Sequence, residues 1–171
     1  QYPMCNVNRA EVEYEKGKTK LIWHPAAMTS SLLSSLLPIP ASATINLERE
    51  FNAETRELKV KVSGYSLEEV AYITVLVNQD NMRAAQSGAS GDYYHTAPRK
   101  FLTAGTGDQL TLDAEGNYSV EYTYVIPEKV GSFECVLEDM EVVAFIHGDI
   151  NDANKREVYN ADHVDVLDSA E

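Results

Sequence analysis

The stretch Tyr72-Ile-Thr-Val-Leu-Val77 decides the fold. Thr74 is its one polar residue, which predicts a strand covered on both faces at the centre of a sheet. A polar excursion over residues 78–99 follows, and a second short strand begins at Lys100. Loops of compact domains usually have about 4–6 residues, so a long loop rich in aromatic rings indicates a functional segment.

Apolar and polar residues alternate with period two on both sides of this strand. Residues 44–51 and 57–63 flank a polar turn, a pattern typical of a hairpin with one solvent-exposed face. Residues 118–126 place their tyrosines on one face, and residues 141–146 are apolar on both faces. Residues 157–167 alternate at both ends but slip across residues 160–162, which indicates a bulge or an edge. These segments predict a mainly β protein, an antiparallel β-sandwich of the Ig-like or jelly-roll-like kind.

The N-terminal part of the chain has a different character. We predict a small unit at residues 1–42, a hairpin plus one helix, ahead of a β-sandwich domain at residues 43–171. The helix is predicted over residues 26–37, because Pro25 fits a first helical turn and Pro38 ends it. One helical face carries the apolar stripe Met28, Leu32, Leu33 and Leu36.

The opposite face of this helix is Ser and Thr, so its intrinsic helix propensity is poor and packing must hold it. We expect this unit either to pack on the sandwich through Trp23 and the leucines or to form a homodimer through residues 1–42.

Charge and hydropathy exclude several classes of partner. The chain has 27 acidic and 14 basic residues and a net charge of −13, which speaks against nucleic acid and anionic lipid. No apolar run approaches the ~20 residues of a membrane span. No motif calls for a cofactor.

The long loop carries the first candidate site. Its chemistry-bearing side chains are Gln86, Asp92, Tyr93, Tyr94, His95 and Arg99. Rings beside a cation and an imidazole can stack on a sugar or bind a carboxylate. We therefore predict that a glycan, peptide or protein ligand binds at Gln86, Tyr93, Tyr94, His95 and Arg99. The alternative is that the tyrosines pin the loop to the sandwich and that His95 caps a backbone carbonyl.

The other reactive residues of the sequence do not indicate a second functional site. The acidic turn at residues 149–152 lacks the spacing of a calcium loop, since Ala153 stands at a ligand position, so we predict a solvated turn and no metal site. No G-x-S-x-G motif is present, and Cys135 lies between acidic residues, so we predict that the chain is not an enzyme. Cys5 and Cys135 either form a disulfide or remain separate thiols.

A set of short motifs runs through residues 45–166. It comprises Ile73-Thr-Val-Leu-Val-Asn-Gln-Asp-Asn81, Gln86, Tyr94-His95, Arg99, Gly107-Asp108, Tyr122-Thr-Tyr124, Ile126-Pro127 and Val142-Val-Ala-Phe145. Together these motifs resemble the C-terminal half of the twenty-eight-kilodalton outer membrane protein family. The most specific part is the Tyr-His…Arg segment, although Thr96 and Ala97 stand where that family usually has a second histidine.

This resemblance implies a location and a role. Members of that family are exported, often lipid-anchored proteins of anaerobic Gram-negative bacteria, which places this chain in the periplasm or at the outer membrane surface. They pair a thioredoxin-like domain with a β-sandwich, and residues 1–42 are similar to the last third of such a domain. The implied function is a non-enzymatic binding or adhesion module. The alternative is an accessory domain that positions a substrate for a thioredoxin-like disulfide oxidoreductase, although this chain has no Cys-x-x-Cys.

Overall fold

Two antiparallel sheets form the body of the protein. The computed structural model describes residues 4–84 and 93–168. In chain order, the strands in these residues are β1 (Val12–Glu15), β2 (Lys18–Lys20), β3 (Asn46–Asn52), β4 (Glu57–Tyr65), β5 (Tyr72–Gln79), β6 (Met82–Arg83), β7 (Tyr93–Tyr94), β8 (Ala97–Phe101), β9 (Asp108–Gln109), β10 (Asn117–Val125), β11 (Lys129–Val130), β12 (Phe133–Glu134), β13 (Met140–His147) and β14 (Val158–Asp165).

The two main sheets pack face to face. The smaller has the strand order β10-β4-β3, and the larger has the order β14-β13-β5-β8, with β9 also paired to β5. Alternate residues of each sheet point between them and form one hydrophobic core. Its fully buried members include Leu58, Val60, Val62, Ile73, Val75, Val77, Val142, Ala144 and Ile146. The predicted antiparallel β-sandwich is confirmed.

The stretch that decides the fold lies where the sequence predicts. β5 pairs with β13 along one edge and with β8 and β9 along the other, and all its residues after Tyr72 are buried. The hairpin of β3 and β4 is also confirmed, and its register is unbroken. The slip predicted across residues 160–162 corresponds to a bulge one residue earlier, because the register of β14 shifts opposite Ile146 and His147 and leaves Tyr159 unpaired; β14 is also an edge strand of its sheet.

The N-terminal helix is shorter than predicted. A 3-10 turn covers Pro25–Ala27, and helix α1 covers only Ser30–Leu36. The Thr29 hydroxyl accepts a hydrogen bond from the backbone N–H of Leu32, so the helix begins after that capping residue. The leucine stripe is less buried than predicted. No residue of α1 is buried, Leu33 is 41% exposed, and Leu37, just after the helix, is 82% exposed.

Trp23 is buried, but inside the N-terminal unit rather than against the sandwich. Its side chain is 5% exposed, and its ring meets the ring of Tyr14 edge-on at 5.8 Å between centroids. Its indole Nε1 donates a hydrogen bond to the carbonyl oxygen of Lys20 at 3.0 Å. The expectation that Trp23 anchors this unit to the sandwich is therefore wrong, because the β1–β2 hairpin already supplies its partners.

Other residues make the contact with the sandwich. The backbone N–H of Val158 in β14 donates to the carbonyl oxygen of Asn8 at 2.8 Å. The guanidinium of Arg9 lies over the ring of Phe145 in β13, 5.3 Å from its centroid. A backbone hydrogen bond to the edge strand β14 and a cation–π contact with its neighbour β13 thus hold the unit against the larger sheet. The domain division at residue 42 and the homodimer stay predictions.

Candidate functional site

The predicted site lies at one end of the larger sheet. Where β5 ends, the chain enters the short ladder of β6 and β7, in which Met82 pairs with Tyr94 and Arg83 with Tyr93. This pairing orders the part of the predicted loop that carries the two tyrosines. Gln86 and Asp92 lie outside the described residues.

The two tyrosines differ in exposure. The Tyr93 side chain is 64% exposed, whereas Tyr94 is half-buried. His95 follows them and is exposed. Alternation along a strand explains the difference, because successive side chains point to opposite faces. Among the described residues of the predicted site, Tyr93 and His95 are therefore the ones that solvent reaches most readily.

A tight turn fixes the position of His95. Thr96 has a φ of 54°, in the left-handed region, and its N–H donates to the carboxylate of Asp80. The backbone N–H of Asp80 in turn donates to the carbonyl oxygen of Asp139 at 2.8 Å. These bonds tie the turn to the end of β5 and to the segment before β13.

Arg99 is directed inward by a β-bulge. Val77 pairs with Lys100 and Asn78 with Pro98, which leaves Arg99 without a partner in the ladder. Bulges turn a side chain away from its regular direction.

In this direction the guanidinium of Arg99 reaches β12. Its Nη2 donates to the carbonyl oxygens of Phe133 at 3.0 Å and Glu134 at 3.4 Å. Its Nη1 lies 3.6 Å from the sulfur of Met82. Arg99 thus links β6, β8 and β12 and holds the base of the hairpin that presents Tyr93.

The two cysteines are separate free thiols. The Cys5 thiol donates to the carbonyl oxygen of Trp23 at 3.4 Å. Cys135 is buried, and its sulfur lies 3.5 Å from Nη2 of Arg99. The sequence places Cys135 between acidic residues, but the fold brings a guanidinium against it. That cation comes from a strand 36 residues away, which local sequence context does not reveal.

His147, the last residue of β13, is a buried histidine just before the acidic turn at residues 149–152. Its Nδ1 lies 2.7 Å from the carbonyl oxygen of Gly148, and its Nε2 lies 2.9 Å from the hydroxyl of Thr74. A carbonyl only accepts, so Nδ1 carries the proton and the neutral Nε2 accepts from Thr74. Burial lowers the pKa of His147, and the charge of Arg9 lowers it further. Its position as the last residue of an apolar strand is the sequence feature that could have predicted its burial.

The acidic turn uses its carboxylates locally. Asp149 accepts a hydrogen bond from the N–H of Asn151, and Asp152 accepts one from the N–H of Asn154, each at 2.9 Å. The predicted solvated turn is thus a pair of side-chain-capped turns. Within residues 4–84 and 93–168, no group of three or more His, Cys, Asp or Glu side chains is placed to hold a metal ion. In the same residues no helix has the length and hydrophobicity needed to cross a membrane.

Comparison with known proteins identifies a structural relative. HBP35 of Porphyromonas gingivalis superposes with a TM-score of 0.70 at 21% sequence identity, over 91% of this chain and 50% of that protein. The two proteins share a fold. The chain spans about half the length of HBP35. No protein-family model and no curated protein matches the chain, so the resemblance to the twenty-eight-kilodalton outer membrane protein family stays a prediction.

Proposed function

We propose that this chain is a non-enzymatic binding module of an exported cell-envelope protein, and that its ligand contacts Tyr93 and His95. The ligand class is a glycan, a peptide or a protein surface. The envelope location rests on the resemblance of residues 45–166 to an exported family, and the fold shared with HBP35 is consistent with it.

The exposure of Tyr93 carries this proposal. Its ring is 64% exposed although its backbone is held in a ladder with Arg83. An exposed ring on an ordered backbone loses little conformational entropy when a ligand covers it. Because cross-strand partners share a face, Arg83 adds a cation beside the ring. An aromatic ring, a guanidinium and the imidazole of His95 together suit a sugar or a polar peptide.

Two further residues position this surface rather than contact the ligand. Tyr94 is half-buried on the opposite face of β7. The guanidinium of Arg99 is hydrogen-bonded to Phe133 and Glu134 in β12. Both residues therefore support ligand binding indirectly, because they hold the hairpin in place.

The non-enzymatic part of the proposal rests on how the most reactive side chains are used. His147 is fully buried and hydrogen-bonded through both ring nitrogens. Cys135 is buried against Arg99. Side chains engaged in this way hold the fold and do not face a substrate.

A binding screen with matched variants tests the proposal. Immobilised glycans, peptides and haem are screened against the wild-type chain, Tyr93→Ala and His95→Ala. Tyr65→Ala is the control, because Tyr65 is also an exposed tyrosine but ends β4 at the opposite end of the sandwich. We expect Tyr93→Ala to weaken binding about tenfold or more, the scale of an aromatic anchor, and Tyr65→Ala to leave it unchanged. Equal binding by all variants would remove this surface from the proposal.

A further inference from the structure

In the part of the chain that the structure describes, the smaller sheet ends in a strand whose outer edge is open. β10 pairs with β4 over nine successive positions, from Asn117 to Val125, with no register shift. Among residues 4–84 and 93–168, β4 is the one strand paired with β10. A long edge without a bulge is a template for a further strand.

The hydrogen-bond pattern identifies the backbone groups at this edge. The N–H of Ile126 donates to the carbonyl oxygen of Arg56 at 2.9 Å, which continues the β10–β4 ladder by one position. Backbone groups alternate in direction along an antiparallel strand, so the even-numbered residues of β10 bond to β4. The N–H and C=O groups directed to the open edge belong to Ser119, Glu121, Thr123 and Val125.

The edge of β14 in the other sheet is closed by the protein itself. The N–H groups of Ala161 and His163 donate to the side chains of Asn160 and Asp162, each at 2.9 Å. At one end of β14, Val158 bonds to Asn8 of the N-terminal unit at 2.8 Å.

At the other end of β14, the carbonyl oxygen of Asp165 accepts from Nε of Arg49, a residue of β3, at 2.8 Å. Arg49 also pairs with the carboxylate of Asp168 at 2.7 Å. This contact brings the edges of β3 and β14 together along one side of the sandwich.

The edge of β8 is protected by different means. Pro98 lacks an N–H, and the bulge at Arg99 interrupts the ladder. Proline and bulges are devices that prevent edge strands from pairing with other chains. β10 has no proline, no lysine and no bulge, and Glu121 is its one charged residue. The fold thus blocks the edges of β8 and β14 and leaves that of β10 available.

We propose that β10 is a docking edge for an extended cationic segment of a partner protein, which adds to the smaller sheet as an antiparallel strand with Lys or Arg opposite Glu121. Strand addition of this kind takes its affinity from backbone hydrogen bonds and its specificity from alternate side chains. The net charge of −13 selects a cationic segment. A second copy of this chain carries the same −13 and is disfavoured.

The inward face of β10 defines the other half of the recognised pattern. Tyr122 and Tyr124 are half-buried at this edge, whereas Glu121 and Thr123 on the outward face are exposed. An added strand with β-branched apolar residues on its inward side covers the two rings. This surface lies on the smaller sheet and includes neither Tyr93 nor His95, so it does not depend on the function proposed above.

A synthetic strand peptide tests the edge. The probe has nine residues, the length of β10, and alternates valine with lysine or threonine under a fluorescent label. Its affinity for the whole chain is measured by anisotropy at physiological salt. The control peptide has the same sequence with N-methyl groups on its pairing edge, which removes the backbone donors and keeps the charge. We expect the control to bind at least about tenfold more weakly.

Matched substitutions place the peptide on β10. Thr123→Pro removes one edge N–H without touching the β4 ladder, and Thr123→Ala keeps that N–H. We expect about tenfold weaker binding by Thr123→Pro and wild-type affinity for Thr123→Ala. Glu121→Lys should weaken binding of the lysine peptide and strengthen binding of a peptide with glutamate in place of lysine. This pair of measurements tests the site even if Thr123→Pro does not fold.

Three results would overturn the proposal. One is equal affinity for the N-methylated and unmodified peptides. Another is that Glu121→Lys binds the lysine peptide with wild-type affinity, while Thr123→Pro either also binds it with wild-type affinity or fails to fold. The third is a dimer of the chain, seen by sedimentation, that Thr123→Pro dissociates, because the edge would then serve a second copy.

Discussion

The hydroxyl of Thr74 lies 2.9 Å from Nε2 of His147, and this hydrogen bond joins the two central strands of the larger sheet on their outer face. Both side chains are buried. Thr74 is the one polar residue in the stretch Tyr72-Ile-Thr-Val-Leu-Val77. Its partner is the last residue of β13, so each polar group satisfies the other where neither has access to water.

His147 makes stability depend on pH. Burial is the main cause of its lowered pKa, with Arg9 acting in the same direction and with Gly148 and Asp149 opposing. An unfolded histidine has a pKa of about 6.5. Below that value the unfolded state binds more protons than the folded state, so stability should fall as the pH drops from 7 towards 5.5. Thermal unfolding across this range measures the slope.

A pair of histidine variants assigns that slope. His147→Gln should flatten it and lower the unfolding free energy at pH 7 by about 1–3 kcal/mol, because buried hydrogen bonds are lost. His163→Gln, at an exposed position of β14, should leave both quantities unchanged. An unaltered slope in His147→Gln would show that other groups control the pH response.

Gly107 should be intolerant of substitution. Its φ is 85°, and a Cβ there would lie 2.6 Å from Nε2 of His147. The left-handed backbone alone costs a non-glycine residue about 1–2 kcal/mol, and the imidazole is held by Thr74 and cannot move aside. Gly107→Ala should therefore lower the urea midpoint clearly. Gly105→Ala is the control, since nothing lies within 4 Å of its added Cβ, and a similar loss in both variants would contradict this account.

Arg99 should not be replaceable by lysine. Its guanidinium donates to two carbonyl oxygens of β12 from a bulge position. A lysine ammonium lacks that planar fork. Arg99→Lys should reduce the unfolding free energy by about 1–2 kcal/mol, as measured by urea denaturation. Lys100→Arg, at the exposed neighbouring position, should change it by less than about 0.5 kcal/mol. Equal stability of the two variants would mean that the β8–β12 link contributes little.

Trp23 reports on the N-terminal unit. It is the one tryptophan of the chain, and its side chain is 5% exposed beside Tyr14. Its fluorescence should be blue-shifted in dilute solution and independent of protein concentration, because its partners belong to the same unit. Tyr14→Ala should shift the emission to the red, and Tyr65→Ala should not. A blue shift that develops only on concentration would instead indicate the homodimer through residues 1–42.

Period-two patterning sufficed for the sandwich because a strand buried on one face must alternate. It located β3, β4, β10 and β14, whereas continuous apolar runs located β5 and β13, and the irregularity in β14 lies one residue before the predicted slip. The patterning was less reliable for residues 1–42. A leucine stripe predicts a buried helix face, yet α1 has no buried residue. Helix periodicity shows which side chains share a face, but not whether another element covers that face.

The sequence by itself determined the sheet class, the alternation of buried and exposed residues, and the segment in which Tyr93 and His95 lie. Only the tertiary structure decided the use of individual side chains. Arg99 turns inward because a bulge forms opposite Val77 and Asn78, and the buried Nε2 of His147 is satisfied by Thr74, which lies 73 residues earlier in the chain. Local patterning follows from backbone geometry that repeats every two residues, whereas these contacts join distant segments that only the packed sheets bring together.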